Sequence, residues 1–324
     1  MKGLTTSRRN FAASVLVGLA LPFASAATAS DDYPNRPIEL ILPAAPGGTT
    51  DLAVRLMAER WRETLGQPVL VVNRPGAGGA LGANIVAGSA PDGYTLMGAF
   101  DSLIVALPLV QDVTYTIDSF DYLNGFGIGA IYFMVRADSP WNTIEEFLTD
   151  AAARPGELTY ASYGVGVITH FTAERLFQLA DAELEYVTFQ SSPEAATAVM
   201  GGHVDLAVTA GTGGVGNDDR IRLLAVAGDE RRPDFPNVPT LKEQGYDVSL
   251  DFISAVLAPA GLPEAVRAKL EQTFSDASEA YAEEFQAGLV AGGLLHVNMT
   301  GQQVRDAWSE RADWFSEVLP RVQQ

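Results

Sequence analysis

The run Ile38-Glu39-Leu40-Ile41-Leu42, followed by Ala44-Ala45-Pro46-Gly47-Gly48-Thr49-Thr50-Asp51 and then an amphipathic segment over 51–65, decides the fold. Five residues of mostly β-branched and long apolar type read as a buried strand, two adjacent glycines as a tight turn, and the 3.6-residue periodicity beyond them as a helix. The same unit recurs along the chain. Strands are read at 69–72, 94–98, 131–135, 158–161, 186–189, 205–208, 221–226 and 252–258, and helices at 82–87, 143–153, 167–179, 193–200, 263–288 and 300–318. Strands alternating with helices predict an α/β fold with mainly parallel sheets.

Composition supports an ordinary globular core. Of 324 residues, 47% are hydrophobic and 19% charged, which excludes a disordered chain, a rod and a polytopic membrane protein. Forty acidic against twenty-one basic residues give a net charge of −19, so nucleic acid and anionic membrane surfaces are repelled rather than attracted. Cysteine is absent, which removes disulfides, thiolate metal sites and a cysteine nucleophile, and only three histidines remain for general-base work.

Residues 1–29 read as an export signal. Ser7-Arg8-Arg9-Asn10-Phe11 precedes an uncharged apolar run that ends in Ala24-Ser25-Ala26 and Ala27-Thr28-Ala29, and the paired arginines resemble a twin-arginine leader. Its removal takes away Lys2, Arg8 and Arg9 and no acid, leaving a mature charge of −22 and a periplasmic protein.

Function is sought at the glycine turns. A helix N-terminus presents unpaired N–H groups and partial positive charge, so a strand-to-helix turn of glycines and hydroxyl residues seats a carboxylate. Three turns have this character: 44–51, then Ser162-Tyr163-Gly164-Val165-Gly166-Val167-Ile168-Thr169-His170, and third Gln190-Ser191-Ser192-Pro193. Thr50 or Asp51 serves equally well as a simple helix cap, and His170 as a structural histidine. A competing motif is Asn73-Arg74-Pro75-Gly76-Ala77-Gly78-Gly79-Ala80-Leu81-Gly82, which mimics a dinucleotide fingerprint with Asp101 downstream, although its third glycine falls one place late. This keeps a periplasmic nicotinamide-dependent oxidoreductase as an alternative, beside a ligand-sensing accessory of a membrane kinase. No Gly-x-Ser-x-Gly elbow, His-Glu-x-x-His, Tyr-x-x-x-Lys or P-loop is present.

Six motifs in order resemble the solute receptors of tripartite tricarboxylate transporters, the TctC or Bug family. They are Tyr33-Pro34-Asn35-Arg36-Pro37-Ile38, Pro46-Gly47-Gly48-Thr49-Thr50-Asp51, Asn73-Arg74-Pro75-Gly76-Ala77-Gly78-Gly79, Ala90-Pro91-Asp92-Gly93-Tyr94-Thr95-Leu96, Gly201-Gly202-His203-Val204-Asp205 and Val238-Pro239-Thr240-Leu241. The resemblance implies a two-lobed periplasmic binding protein of the Venus-flytrap kind with crossing hinge strands. Lobe 1 is expected over 30–126 plus 250–324 and lobe 2 over 127–249. It further implies a monomer that binds a small organic carboxylate without cofactor, metal or catalysis and passes it to large and small membrane subunits. By the same analogy the ligand contacts are Ala45, Pro46, Gly47, Gly48, Thr49, Thr50 and Asp51 in lobe 1, with Ser162, Tyr163, Gly164, Gly166, Thr169 and His170 in lobe 2. Gln190, Ser191, Ser192 and Thr209 complete the lining, and the 73–79 motif becomes a structural turn. Phe100-Asp101-Ser102 stands where the family often has a Thr-Ser-Gly type turn, so Asp101 is expected to offer an acceptor while Phe100, Phe189 and Phe252 flank an apolar body.

Overall fold

The computed structural model describes residues 33–212, 214–291 and 293–323. The expected export signal lies outside the described residues, among which no helix is long and apolar enough to cross a membrane.

The strands are β1 Ile38–Leu42, β2 Val69–Asn73, β3 Thr95–Phe100, β4 Phe120–Gly129, β5 Ile131–Arg136, β6 Thr159–Tyr163, β7 Glu185–Phe189, β8 Leu206–Ala210, β9 Ile221–Ala227, β10 Phe252–Pro259 and β11 Leu294–Thr300. The helices are α1 Thr49–Leu65, α2 Ala80–Ala87, α3 Leu107–Val110, α4 Ile144–Ala153, α5 Ile168–Leu179, α6 Ser192–Met200, α7 Glu264–Ala280, α8 Ala282–Ala291, α9 Gly301–Glu310 and α10 Ala312–Val322. They form two lobes around two sheets, of order β11-β4-β10-β3-β1-β2 and β7-β6-β8-β5-β9.

The two-lobed α/β architecture is the one expected, and each sheet is mixed. β1 runs parallel to β2 and β3, and β6 parallel to β7 and β8, which is the part read from strand-helix alternation. β10 then joins β3 and β4 antiparallel, β11 joins β4, and β5 joins β8 and β9. β4 escapes periodicity because its sequence holds Gly125, Gly127 and Gly129, which normally weaken a strand. Their smallness is required by packing: a Cβ on Gly125 would lie 2.6 Å from Val304, and one on Gly129 2.1 Å from the Phe252 ring. The long helix expected over 263–288 is broken at Tyr281 into α7 and α8, and the last one at Arg311 into α9 and α10.

The chain crosses between sheets twice. Buried Ala130 alone separates β4 from β5, and the return runs from the end of β9 to Phe252 at the start of β10, directly paired with Gly129. α1 packs its apolar face on the first sheet and on α7, where Trp61 and Phe274 approach to 4.4 Å between ring centroids. The final helix ties the lobes together. Arg311 at its start pairs with Asp101, Phe315 packs on Phe171 of α5, and Arg321 lies 3.5 Å from the Glu174 carboxylate of the same helix.

Candidate functional site

The carboxyl ends of β1 and β2 and of β6, β7 and β8 face one another across a cleft of about 330 Å³. This is where an open α/β sheet places its ligands, because helix starts converge there.

In lobe 1 the wall is the turn 44–51. Asp51, in the first turn of α1, is almost fully buried and accepts hydrogen bonds from the Gly47 amide at 2.9 Å, from Asn73 Nδ2 at 2.9 Å and from Arg55 Nε at 3.0 Å. Asn73 also donates to the Ala44 carbonyl at 3.1 Å, and Arg55 Nη2 donates to Asn73 Oδ1 at 2.6 Å. Burial raises the carboxyl pKa, but the hydrogen bonds from Arg55, Gly47 and Asn73 outweigh it, so Asp51 is held below the usual carboxylate range. Asp51 therefore shapes the turn from within. No side-chain cap hydrogen bond is made at α1, whose N-cap is Gly48, and the turn before it lines the cleft.

The second wall, from lobe 2, repeats the device with neutral groups. Gly164 and Gly166 adopt positive φ of 80° and 75° between β6 and α5, and again no side chain caps the helix. The Gly164 amide donates to Thr188 Oγ1 at 3.2 Å, and its carbonyl accepts from the Tyr186 hydroxyl at 2.6 Å. The Gly166 amide donates to His170 Nδ1 at 3.1 Å, and the imidazole stacks on Tyr186 at 4.3 Å. Burial lowers the His170 pKa to about 4, so the ring is neutral and Nδ1 can act as the acceptor that this bond demands.

The third turn is self-sufficient. Ser191 Oγ accepts from the Glu194 amide at 3.4 Å, and the Glu194 carboxylate accepts from the amide of Gln190, just before the cap, at 3.0 Å, which ties the turn to the start of α6. Ser192 Oγ accepts from the Ala210 amide at 3.1 Å, and the Ala210 carbonyl accepts from Thr49 Oγ1 of the other lobe at 3.2 Å, a direct bond across the cleft.

Of the residues expected at the site, Ala45, Gly48, Thr49, Thr50, Asp51, Phe100, Tyr163, Gly164, Gln190, Ser191 and Ser192 line the cleft. Others stand behind it. Pro46 and Gly47 lie outside the lining, Gly47 bracing Asp51 from behind. Ser162 and Thr169 are fully buried with their hydroxyl oxygens 2.5 Å apart, Thr209 is buried and donates to Gly211, and Gly166 and His170 brace the turn. Asp101, expected to offer an acceptor, is fully buried, accepts from the Ser102 amide at 2.7 Å and is ion-paired with Arg311, while Ser102 is buried beside it. The apolar packing of the helix after β3 draws both residues away from the cleft.

Sequence reasoning missed the turn 75–79 as a wall. Gly76, Ala77, Gly78 and Gly79 all take positive φ, and a Cβ on Gly79 would lie 2.8 Å from the Pro43 carbonyl, so the backbone is pressed against β1 while its outer side faces the cleft. Gln111 joins the lining and donates to the Ala77 carbonyl at 2.9 Å. Phe189 and Phe252, expected to flank an apolar body, line it too, and so do Thr188 and Ala210, at strand ends where the same positional rule would have found them. Among the described residues no lysine, arginine or histidine lines the cleft, so an anion there meets backbone amides and hydroxyls.

Two α/β lobes hinged by crossing strands and meeting over strand-to-helix turns define a periplasmic solute-binding receptor. The chain belongs to the tripartite tricarboxylate transporter family receptors, TctC, whose family model matches residues 53–317. It is 32% identical over 314 residues to protein BugT of Bordetella pertussis, covering 93% of this chain and 92% of that one. The solved structure of a periplasmic transporter superposes with a TM-score of 0.84 at 28% identity over 89% of this chain and 97% of that one. MatC from Rhodopseudomonas palustris with bound malate gives 0.82 at 25% identity over 89% of this chain and all of that one.

Proposed function

We propose that the protein captures a small organic carboxylate in the interlobe cleft and delivers it to the membrane subunits of a tripartite tricarboxylate-type transporter. It reaches the periplasm by the twin-arginine route, acts as a monomer, and releases its ligand chemically unchanged. The observation that carries this reading is the pair of strand-to-helix glycine turns, 44–51 in one lobe and 163–165 in the other, that both line a cleft in which no side-chain cation stands among the described residues. The malate bound to MatC supports a carboxylate.

The sequence carries a strong negative charge, which repels an anion at long range, so affinity must come from oriented amides acting at short range where water is excluded. Lobe 1 is assigned to 30–126 plus 250–324 and lobe 2 to 127–249, with closure taken up at the two crossings around Ala130 and before Phe252. Thermal denaturation of the purified mature protein with a panel of mono-, di- and tricarboxylates tests the reading. At least one acid is expected to raise Tm while its amide or alcohol counterpart does not. A flat response to every acid would contradict it.

A further inference from the structure

Carboxylates differ in what hangs from the acid group, and the cleft is specific about that part. Phe100 on β3 pairs with Ser254 on β10, and Phe252 lies two residues along that strand, so Phe100 and Phe252 share one face of the first sheet. Tyr163 and Phe189 are direct register partners on β6 and β7 and share one face of the second. All four line the cleft. Each lobe thus contributes a pair of neighbouring rings as well as one of the glycine turns that offer amides.

We infer that the ligand is a monocarboxylate with a flat apolar body, of the aromatic-acid class, whose ring is clamped between Phe100 and Phe252 of one lobe and Tyr163 and Phe189 of the other. The inference rests on the carboxylate reading above and narrows it. Rings prefer offset or edge-to-face partners and gain from burying a large flat surface, which a four-ring clamp supplies. A second carboxylate on the far side of such a body would be taken out of water against these rings. The glycine turns of both lobes are already committed to the first carboxylate, no lysine, arginine or histidine lines the cleft to receive a second among the described residues, and Asp51, the one charged lining residue, is itself negative. Burying an unpaired charge is strongly disfavoured, so the same clamp that favours the ring rejects the second acid. The backing of Phe252 is firm: it is 3% exposed, and its ring occupies the space left by the missing side chain of Gly129.

Calorimetric titration of the mature protein with matched pairs is decisive: benzoate against terephthalate, and hexanoate against adipate. In the first pair a second carboxylate replaces a ring hydrogen, and in the second it replaces the terminal methyl of a six-carbon chain. We expect benzoate to bind at least about tenfold more tightly than terephthalate, hexanoate more tightly than adipate, and benzoate more tightly than hexanoate. Phe189→Ser, at a partly buried strand-end position, is expected to weaken benzoate about tenfold with an unchanged circular dichroism spectrum. Terephthalate or adipate binding as tightly as its partner, or benzoate unaffected by the Phe189 change, would overturn the inference while leaving a carboxylate receptor in place. Failure of all four acids, together with a flat response to the wider panel, would overturn both.

Discussion

The two walls of the cleft are built from the same strand, glycine turn and uncapped helix, yet they are stiffened by opposite means. In lobe 1 the turn is held by charge, through the carboxylate of Asp51 and its donors Arg55, Asn73 and Gly47. In lobe 2 it is held by neutral groups, the stacked rings of His170 and Tyr186 and the hydroxyl of Thr188. Side chains committed to bracing cannot also hold an acid, which leaves the backbone of each turn to meet it. A binding surface made of backbone is set by the shape of the turn, and the bracing residues control it from behind. Each form of bracing has its own weakness, the first to loss of a charge partner and the second to acid.

Asp51→Ala should produce the largest effect. It strands the donors of Asn73, Gly47 and Arg55 together, and urea denaturation is expected to show a loss of about 3 kcal/mol with ligand affinity reduced at least tenfold. A change under about 1 kcal/mol would show that the lobe 1 turn holds itself without the carboxylate.

Acid sharpens the comparison from the other side. Since burial lowers the His170 pKa from 6.5 to about 4, the folded state binds fewer protons than the unfolded chain between those values. Stability from this group is complete above pH 6.5 and is lost as pH falls through the window, by about 2 kcal/mol at pH 5. His170→Gln, which keeps an acceptor for the Gly166 amide, should flatten that dependence. An unchanged pH profile would remove His170 as its source.

The hinge works against this trend. Asp251, beside the second crossing, has its pKa raised to about 6 mainly by burial, with Arg232 lowering it and Asp229 raising it further. An acid with a raised folded pKa takes up its proton in the folded state first, so its penalty is present above pH 6 and is relieved as pH falls toward 4. Asp251→Asn is expected to stabilise the protein by about 1 to 2 kcal/mol at pH 7.5 and to expose the acid sensitivity of His170 more steeply. The smallest effect belongs to Ser162→Ala combined with Thr169→Val. Removing both partners of a buried neutral pair is nearly balanced, so stability should shift by less than about 1 kcal/mol and affinity by less than about threefold. A tenfold loss of affinity would place these hydroxyls in contact with the ligand after all.

What the sequence made legible follows from periodicity and turn chemistry. β1, β2 and β6 and the helices after them were readable because each is a short apolar run closed by a glycine turn, and β7 because Ser191-Ser192-Pro193 opens a helix directly after it. β4 was not, since its glycines are dictated by distant side chains, Val304 and Phe252, that no local window contains. The turns singled out do line the cleft, but position within a turn does not reveal which way a side chain points. Ser162, Thr169 and Asp101 look like ligand groups in sequence and are buried in the fold, while the 75–79 turn looks structural and lines the cleft. The partner that turns Asp101 away is Arg311, 210 positions along the chain.

On the proposed reading, backbone amides of the two opposed turns clasp the acid with no side-chain cation. A crystal structure of the mature protein with the tightest-binding acid of the panel tests it most directly. One carboxylate is expected within hydrogen-bonding distance of amides in the first turn of α1 and of the Val165 amide, since Gly164 and Gly166 already donate to Thr188 and His170, with its body between the four rings. A carboxylate paired with an arginine or lysine, or seated away from both turns, would contradict it.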